Sequence, residues 1–259
     1  MSSASLQSSA GIVEAAGTIP KLHPRADGFV ESHRFSSYAN WIIPGHVMLG
    51  RYPYVEPSRC RTHEKGEEQL AEILKEGITT LICLQGEIPP QPEMRIGGVR
   101  GFVPYAATAS LLASAMGGPP GNEEVNGLRN RYLDTYLPPR RKQSRAQNEP
   151  AREQITLQFL HYPITDLSIP TTEQVQSITE DIRRRLEAGE KIYMHCWGGR
   201  GRAGTLGACL LGDLYGIGAE DALLRVQKAF DTRGDAGYGY GSPETLQQIN
   251  FVKKYLSRS

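Results

Sequence analysis

The sequence predicts a single α/β domain whose central, mostly parallel sheet is flanked by helices. Three observations carry this expectation. "HEKGEEQLAEILKEG" has Leu70, Ile73 and Leu74 at helical spacing and stops at Gly77, and the β-rich run "ITTLICL" (78–84) follows at once. "TEQVQSITEDIRRRLEAGE" repeats the arrangement, with Val175, Ile178, Ile182 and Leu186 on one face, Thr171 or Thr172 as its cap, and the strand "KIYMH" behind it. That strand runs through Cys196 into glycines and then into "TLGACLLGDLYG", so strand, turn and helix follow in succession.

The remaining elements follow from the same signals. In "NWIIPGHVMLGRYPY" (40–54) two apolar runs are split by Pro44-Gly45, which reads as two strands joined by a tight turn. "ITLQFLHYPI" (155–164) resumes the sheet. "AEDALLRVQKAF" is a further helix, and the Gly-rich "RGDAGYGYGSP" leads to a last one, "PETLQQINFVKKYL". Residues 1–35, rich in Ser, Ala and Gly, read as a disordered leader, with an organellar transit peptide as the other reading; 36–259 is then the domain. The stretch 85–154 is far longer than an ordinary connection and reads as an insertion that packs on the domain. Within it "YAATASLLASAM" and "EVNGLRNRYLDTYL" have the look of short helices, and "PPRRKQSR" of a mobile basic end.

Composition narrows the function. With 259 residues, 39% hydrophobic, 22% charged and a net charge of +1, nothing points to general nucleic-acid binding. No apolar run approaches the roughly 18 residues of a membrane span. The four cysteines, Cys60, Cys83, Cys196 and Cys209, are scattered without metal-ligand spacing. They read as free thiols in a reducing compartment, the cytoplasm, and no metal or cofactor is expected.

The stretch around Cys196 carries chemistry. A thiol attacks only when ionised, and an unperturbed one is mostly protonated near neutrality. After Cys196 come Trp197, Gly198, Gly199, Arg200 and Gly201, whose glycines let the backbone curl so that its N–H groups form an anion nest. The helix beginning near Arg202 adds the positive end of its dipole. Together these lower a thiol pKa and hold a tetrahedral dianion beside the sulfur, while the planar fork of Arg202 grips two of its oxygens. None of the other cysteines has an arginine six residues on; the positions are Gly66, Pro89 and Tyr215.

His195-Cys196-Trp-Gly-Gly-Arg-Gly-Arg202-Ala-Gly-Thr205 resembles the signature loop of the cysteine-dependent protein tyrosine phosphatases. It is most similar to the dual-specificity branch, including bacterial-type members and relatives of the cyclin-dependent-kinase-associated phosphatase. The likeness runs in element order from about Trp41 to Leu256, outside the insertion. It implies the dual-specificity phosphatase fold, Cys196 as the nucleophile that forms a cysteinyl-phosphate, Arg202 as the phosphoryl grip, and His195 as support for the loop and its low thiol pKa. The family draws its general acid from an aspartate about thirty residues before the cysteine, and "HYPITDLSIPT" puts Asp166 thirty positions before Cys196. His161 reads as a structural residue of the strand, and His46 and His63 have no evident chemical partner.

Three positions depart from the pattern. Many relatives have Ser or Thr directly after the loop arginine, to help the thiolate leave; here stands Ala203, as in plant glucan phosphatases. Where tyrosine-specific members have a water-positioning Gln, "PETLQQINF" offers Glu244, with Gln248 at a second glutamine position. Arg200 makes the loop more cationic than in most protein phosphatases, as in phosphoinositide and inositol-phosphate phosphatases. The leading expectation is therefore phosphatase action on protein phosphotyrosine, and also on phosphoserine or phosphothreonine. A phosphoinositide, inositol-phosphate or phosphoglucan phosphatase is the alternative, and a phosphate-binding scaffold without effective turnover is the second. The expected partner in each case is an acidic phosphomonoester; oligomeric state is not legible.

Overall fold

Alternation of side chains along each strand decides which residues face which layer of helices. The computed structural model describes residues 18–25, 28–117, 156–234 and 240–258. Five strands form one sheet: β1 (Ala39–Ile43), β2 (Val47–Gly50), β3 (Thr80–Gln85), β4 (Gln158–Ile164) and β5 (Ile192–His195). Their spatial order is β1-β2-β5-β3-β4. β1 and β2 pair antiparallel, with Gly45 of their connecting turn at a φ of 74°. The other three neighbouring pairs are parallel, as helices returning between strands require.

The described helices are α1 (Phe29–His33), α2 (His63–Lys75), α3 (Ala106–Gly117), α4 (Thr172–Glu187), α5 (Gly201–Tyr215), α6 (Ala219–Asp231) and α7 (Leu246–Leu256). Ile82, Leu84, Ile192 and Met194 face one side of the sheet and pack with residues of α4 to α7, among them Val175, Leu206, Val226 and Val252. The intervening Leu81, Cys83 and Tyr193 face the other side, against Leu70 and Ile73 of α2 and Leu112 of α3. Both faces are covered, which is why β2, β3 and β5 are buried at every step and carry apolar residues on both faces, with Thr80, Gln85 and His195 as buried polar residues at strand ends.

Local signals set the helix ends. Thr171 caps α4 in a reciprocal box: its hydroxyl accepts from the Gln174 N–H at 3.1 Å, and the Gln174 side chain accepts from the Thr171 N–H at 2.8 Å. Thr245 and Gln248 do the same for α7. That helix therefore starts at Leu246, later than "PETLQQ" suggests, because Thr245 caps it while the Ser242 hydroxyl donates to the Arg200 carbonyl.

The leader expected over residues 1–35 is corrected at its end. Phe29 and His33 are buried and stacked at 3.7 Å as part of α1, and Ile19 and Leu22 pack on the main core. Tyr215 donates to the Pro20 carbonyl at 2.8 Å, and Arg225 to that of His23 at 2.7 Å. A few apolar anchors fix this segment although its composition is that of a loose one. Residues 1–17 lie outside the described residues.

The stretch 85–154 also divides. Its first part is built into the second face of the sheet, where Phe102, Tyr105 and Leu112 are buried and "YAATASLLASAM" forms α3. "EVNGLRNRYLDTYL" and "PPRRKQSR" lie outside the described residues. Among the described residues, no helix is long and apolar enough to cross a membrane.

Candidate active site

β5 lies mid-sheet between β2 and β3, so whatever follows His195 emerges in the crevice beyond the carboxyl ends of parallel strands. Cys196 is the first residue there and is 3% exposed. The chain then turns through Trp197 to Arg200 and enters α5 at Gly201. Its N-cap Arg200 makes no side-chain cap, so among the described residues the first-turn N–H groups have no capping side chain. Gly199 makes the turn possible: its φ is 69°, and an added Cβ would lie 2.2 Å from the carbonyl carbon of Gly50 and 2.7 Å from the N of Arg51. The loop thus presses directly on the end of β2, and the Tyr52 N–H donates to the Trp197 carbonyl at 3.0 Å.

Arg202 sits in the first turn of α5 and is 2% exposed. Its guanidinium meets the Glu87 carboxylate in a two-pronged pair, at 2.5 Å through Nη1 and 2.9 Å through Nη2. Nη1 also donates to the Ile164 carbonyl at 3.1 Å, and Nη2 lies 2.9 Å from Asp166 Oδ1. Nε is buried with no hydrogen-bond partner among the described residues. Burial works against the charge of Arg202, but the hydrogen bonds of Glu87 and the charges of Cys196, Glu87 and Asp166 outweigh it and raise its pKa. Asp166 follows β4, has a side chain 47% exposed, and precedes Leu167, which takes a φ of 58°. The residues expected from the sequence as nucleophile, anion grip and acid therefore converge on one site.

His195 is fully buried, and burial pushes its pKa down to about 3. It is neutral at physiological pH, so the support it was expected to give a low thiol pKa cannot come from a positive charge. Its Nδ1 lies 3.3 Å from the Cys196 carbonyl and its Nε2 2.8 Å from the Tyr105 hydroxyl. A carbonyl only accepts, which assigns the ring proton to Nδ1 and makes Nε2 the acceptor of the Tyr105 O–H. Trp197 donates its indole N–H to Glu56 Oε2 at 2.9 Å. Burial opposes ionisation of Glu56, yet hydrogen bonds from Ser58, Trp197 and Arg59 hold its carboxyl below the usual range.

Arg200 does not stand free. It forms an ion pair with Glu244 and lies over the Tyr240 ring, 4.7 Å from its centroid. Glu244 is placed at the loop as expected, close enough that a Cβ on Gly201 would come within 3.0 Å of its Oε2. Gln248 requires a correction: it is completely buried, and its amide is committed to structure rather than to a water. Its Oε1 accepts from the N–H groups of Glu244 and Thr245, and its Nε2 donates to the Ser168 carbonyl at 3.2 Å, tying the loop of Asp166 to α7. Ala203 is buried, and Thr205 donates its hydroxyl to the Gly201 carbonyl at 2.8 Å, so it does not replace the missing hydroxyl.

Sequence reasoning missed four residues of the site: Glu56, Glu87, Tyr105 and Arg233. Arg233 is buried just beyond α6 and donates to the carbonyls of Leu49, Gly198 and Gly199 and to Asn40 Oδ1. It draws loop carbonyls away from the nest so that the opposing N–H groups can face an anion. Burial pushes its pKa down to about 10. The "TR" that follows the last apolar positions of α6 was the only signal, and it is weak. His161 donates to or accepts from nothing catalytic; its Nε2 meets the Gln85 carbonyl at 2.7 Å on the neighbouring strand. His63 pairs with Tyr54, and His46 with the Pro44 carbonyl. All four cysteines are unpaired and buried, and burial raises the pKa of Cys60, Cys83 and Cys209, Cys83 to about 12.

Residues 142–237 match the family described as "Swiss Army Knife protein, DSP-PTPase phosphatase domain". Over 98 residues the chain is 33% identical to cyclin-dependent kinase inhibitor 3 of Rattus norvegicus, covering 38% of this chain and 43% of that protein. Over 99 residues it is 32% identical to the uncharacterized protein MJECL20 of Methanocaldococcus jannaschii, covering 38% of this chain and 60% of that one. Both matches span less than two thirds of the relative's length. The crystal structure of Tk-PTP in its active form aligns over 86% of this chain and 98% of its own, with 21% identity and a TM-score of 0.46. The matched segment contains the strand, the glycine loop and the arginine described above, so in the part of the chain that carries the site it is similar to the dual-specificity branch of the cysteine-dependent protein tyrosine phosphatases.

Proposed function

We propose that the chain is a phosphatase that hydrolyses phosphomonoesters through a cysteinyl-phosphate intermediate, with protein phosphotyrosine as first substrate and phosphoserine or phosphothreonine as further ones. One observation carries the reading: Arg202 follows the Cys196 loop in the first turn of α5 and meets Asp166 at 2.9 Å. Nucleophile, anion grip and proton donor thereby share one site. Cys196 Sγ attacks phosphorus while the bond to the leaving oxygen breaks, and Asp166 gives that oxygen its proton. Water then attacks the phosphorus, Asp166 takes its proton, and the S–P bond breaks to return the thiolate and inorganic phosphate. The nest of loop N–H groups and Arg202 hold the charge throughout.

The partial match to a protein named cyclin-dependent kinase inhibitor 3, a name that says it acts on a kinase, supports a protein partner. A small polyphosphorylated substrate is the second reading, favoured by Arg51 and Arg59 in the same cleft. Four unpaired thiols support work in the cytoplasm. The test is acid quenching of the native chain during turnover of an aryl phosphate, followed by mass spectrometry. Phosphate is expected on the Cys196 peptide, and Cys196→Ser is expected to release less than about one per cent of the native phosphate flux. A Ser variant that turns over normally, or a native chain that binds phosphate without releasing any from esters, overturns the reading; the latter is the scaffold alternative.

A further inference from the structure

The phosphate loop opens on a cleft of about 300 Å³, at the small end of the range for compact ligands. Its charged groups can be accounted for one at a time. Arg233 is spent on backbone carbonyls and Asn40, Arg200 on Glu244, and Asp166 on Arg202. Two cations remain on the wall, Arg51 and Arg59, and neither guanidinium forms an ion pair or a hydrogen bond among the described residues. Both are fixed close to the loop. The Arg51 N–H donates to the Tyr38 carbonyl at 3.0 Å, and its backbone abuts Gly199. The Arg59 N–H donates to Glu56 Oε1, while Oε2 of the same carboxylate holds the Trp197 indole. Glu56 thus has its oxygens occupied by the turn and by Trp197. Arg51 is half-buried, and burial together with the Arg59 charge pushes its pKa down. The Glu56 charge offsets part of the repulsion between these two cations, and a further anion between them would offset more of it.

Resting on the phosphatase reading, we infer that Arg51 and Arg59 form a second anion subsite, which takes a further phosphoryl group of a compact, multiply phosphorylated substrate while the first lies over Cys196. Holding two phosphoryl groups within one cleft of this size favours a compact scaffold over a doubly phosphorylated peptide. Neighbouring side chains of an extended peptide point to opposite faces, so a second phosphate on the same face comes roughly 7 Å further along the chain. A polyol ring carrying adjacent phosphoryl groups keeps both inside the cleft. The expectation that Arg200 meets a second phosphate is replaced by this pair, because Glu244 already neutralises Arg200.

The experiment compares kcat/KM for an aryl phosphate, an inositol monophosphate, a vicinal inositol bisphosphate and a doubly phosphorylated tyrosine peptide, in the native chain, in Arg59→Ala and in Arg51→Ala/Arg59→Ala. The native chain is expected to prefer the bisphosphate over the monophosphate by about tenfold or more, and the double variant to lose that ratio. The exposed Arg59 gives a single variant that tests the same point if the double one folds poorly. Phosphatidylcholine vesicles carrying phosphatidylinositol bisphosphate tell a lipid headgroup from a free one. Equal rates on mono- and bisphosphate, a preference that survives both variants, or a stronger preference for the peptide overturns the subsite. If the aryl phosphate itself is not hydrolysed, the phosphatase reading fails instead. Calorimetric binding of the two inositol phosphates to Cys196→Ser then still decides the subsite, with equal affinities overturning it.

Discussion

Asp166 touches Arg202 in the structure, so an incoming phosphoryl group competes with it for the guanidinium before it can serve as proton donor. Asp166→Asn keeps the size of the side chain but removes the proton. It is expected to slow turnover of phenyl phosphate about a hundredfold or more, and far less for an ester whose leaving group is already acidic. Equal losses on both esters would remove Asp166 from the acid role. Ala203 bears on the second step. A hydroxyl at this position donates to the departing sulfur, and one charge-assisted hydrogen bond is worth about 1.5–3 kcal/mol, or roughly tenfold to a hundredfold in rate. Thr205 is bound to the Gly201 carbonyl and so does not substitute for it. Rapid-quench measurements are expected to show a burst of product followed by a slower steady state, and Ala203→Ser to raise the steady rate several-fold while shrinking the burst. The absence of both would show that phosphoenzyme breakdown is not limiting. These residues were legible because they stand in one short run or at a fixed spacing from it.

Among the elements, α7 matters more to the site than its distance from Cys196 suggests. Gln248 closes the cap of that helix and holds the Ser168 carbonyl, two residues from Asp166. Gln248→Ala is expected to cost about 1–3 kcal/mol from the lost cap and a part-buried carbonyl left without its donor, and to lower kcat with little change in KM. Thermal melting and steady-state kinetics check the two effects; a stability loss with unchanged kcat would confine Gln248 to folding. Elements whose apolar spacing and caps lie within one segment could be read directly, as α4 with its Thr171–Gln174 box shows. The start of α7 was read too early because Pro243 and Glu244 are good first-turn residues that here precede the cap. α1 was missed because five residues with two buried rings carry no periodicity to detect.

Over the whole molecule the site depends on contacts between residues far apart in sequence, and these were not legible. Tyr105 reaches His195, Glu87 reaches Arg202, and Arg233 joins β1, the end of β2 and the loop. No local pattern marks such partners, since each is chosen by the packing of other elements. Arg233 is the clearest case. Arg233→Met is expected to leave buried carbonyls of Leu49 and Gly199 unpaired and to destabilise the chain by about 3 kcal/mol or more. For a domain of this size that is a Tm lower by roughly 6–12 °C. Calorimetry checks it, and a Tm within about 2 °C of native would show that Arg233 is not needed to hold the loop.

The pressing of the Cys196 loop on the end of β2 has a consequence for how such a protein diversifies. The chain from Arg51 to Cys60 walls the cleft yet supplies none of the reacting groups, which come from β4, β5 and the start of α5. Part of the cleft wall is thus written in a stretch separate from the reacting groups, although Asp166, Trp197 and Arg200 line the cleft as well. Exchanging the first stretch for that of a relative, with Gly50 and Glu56 retained as its moorings, transplants selectivity while the chemical machinery stays in place.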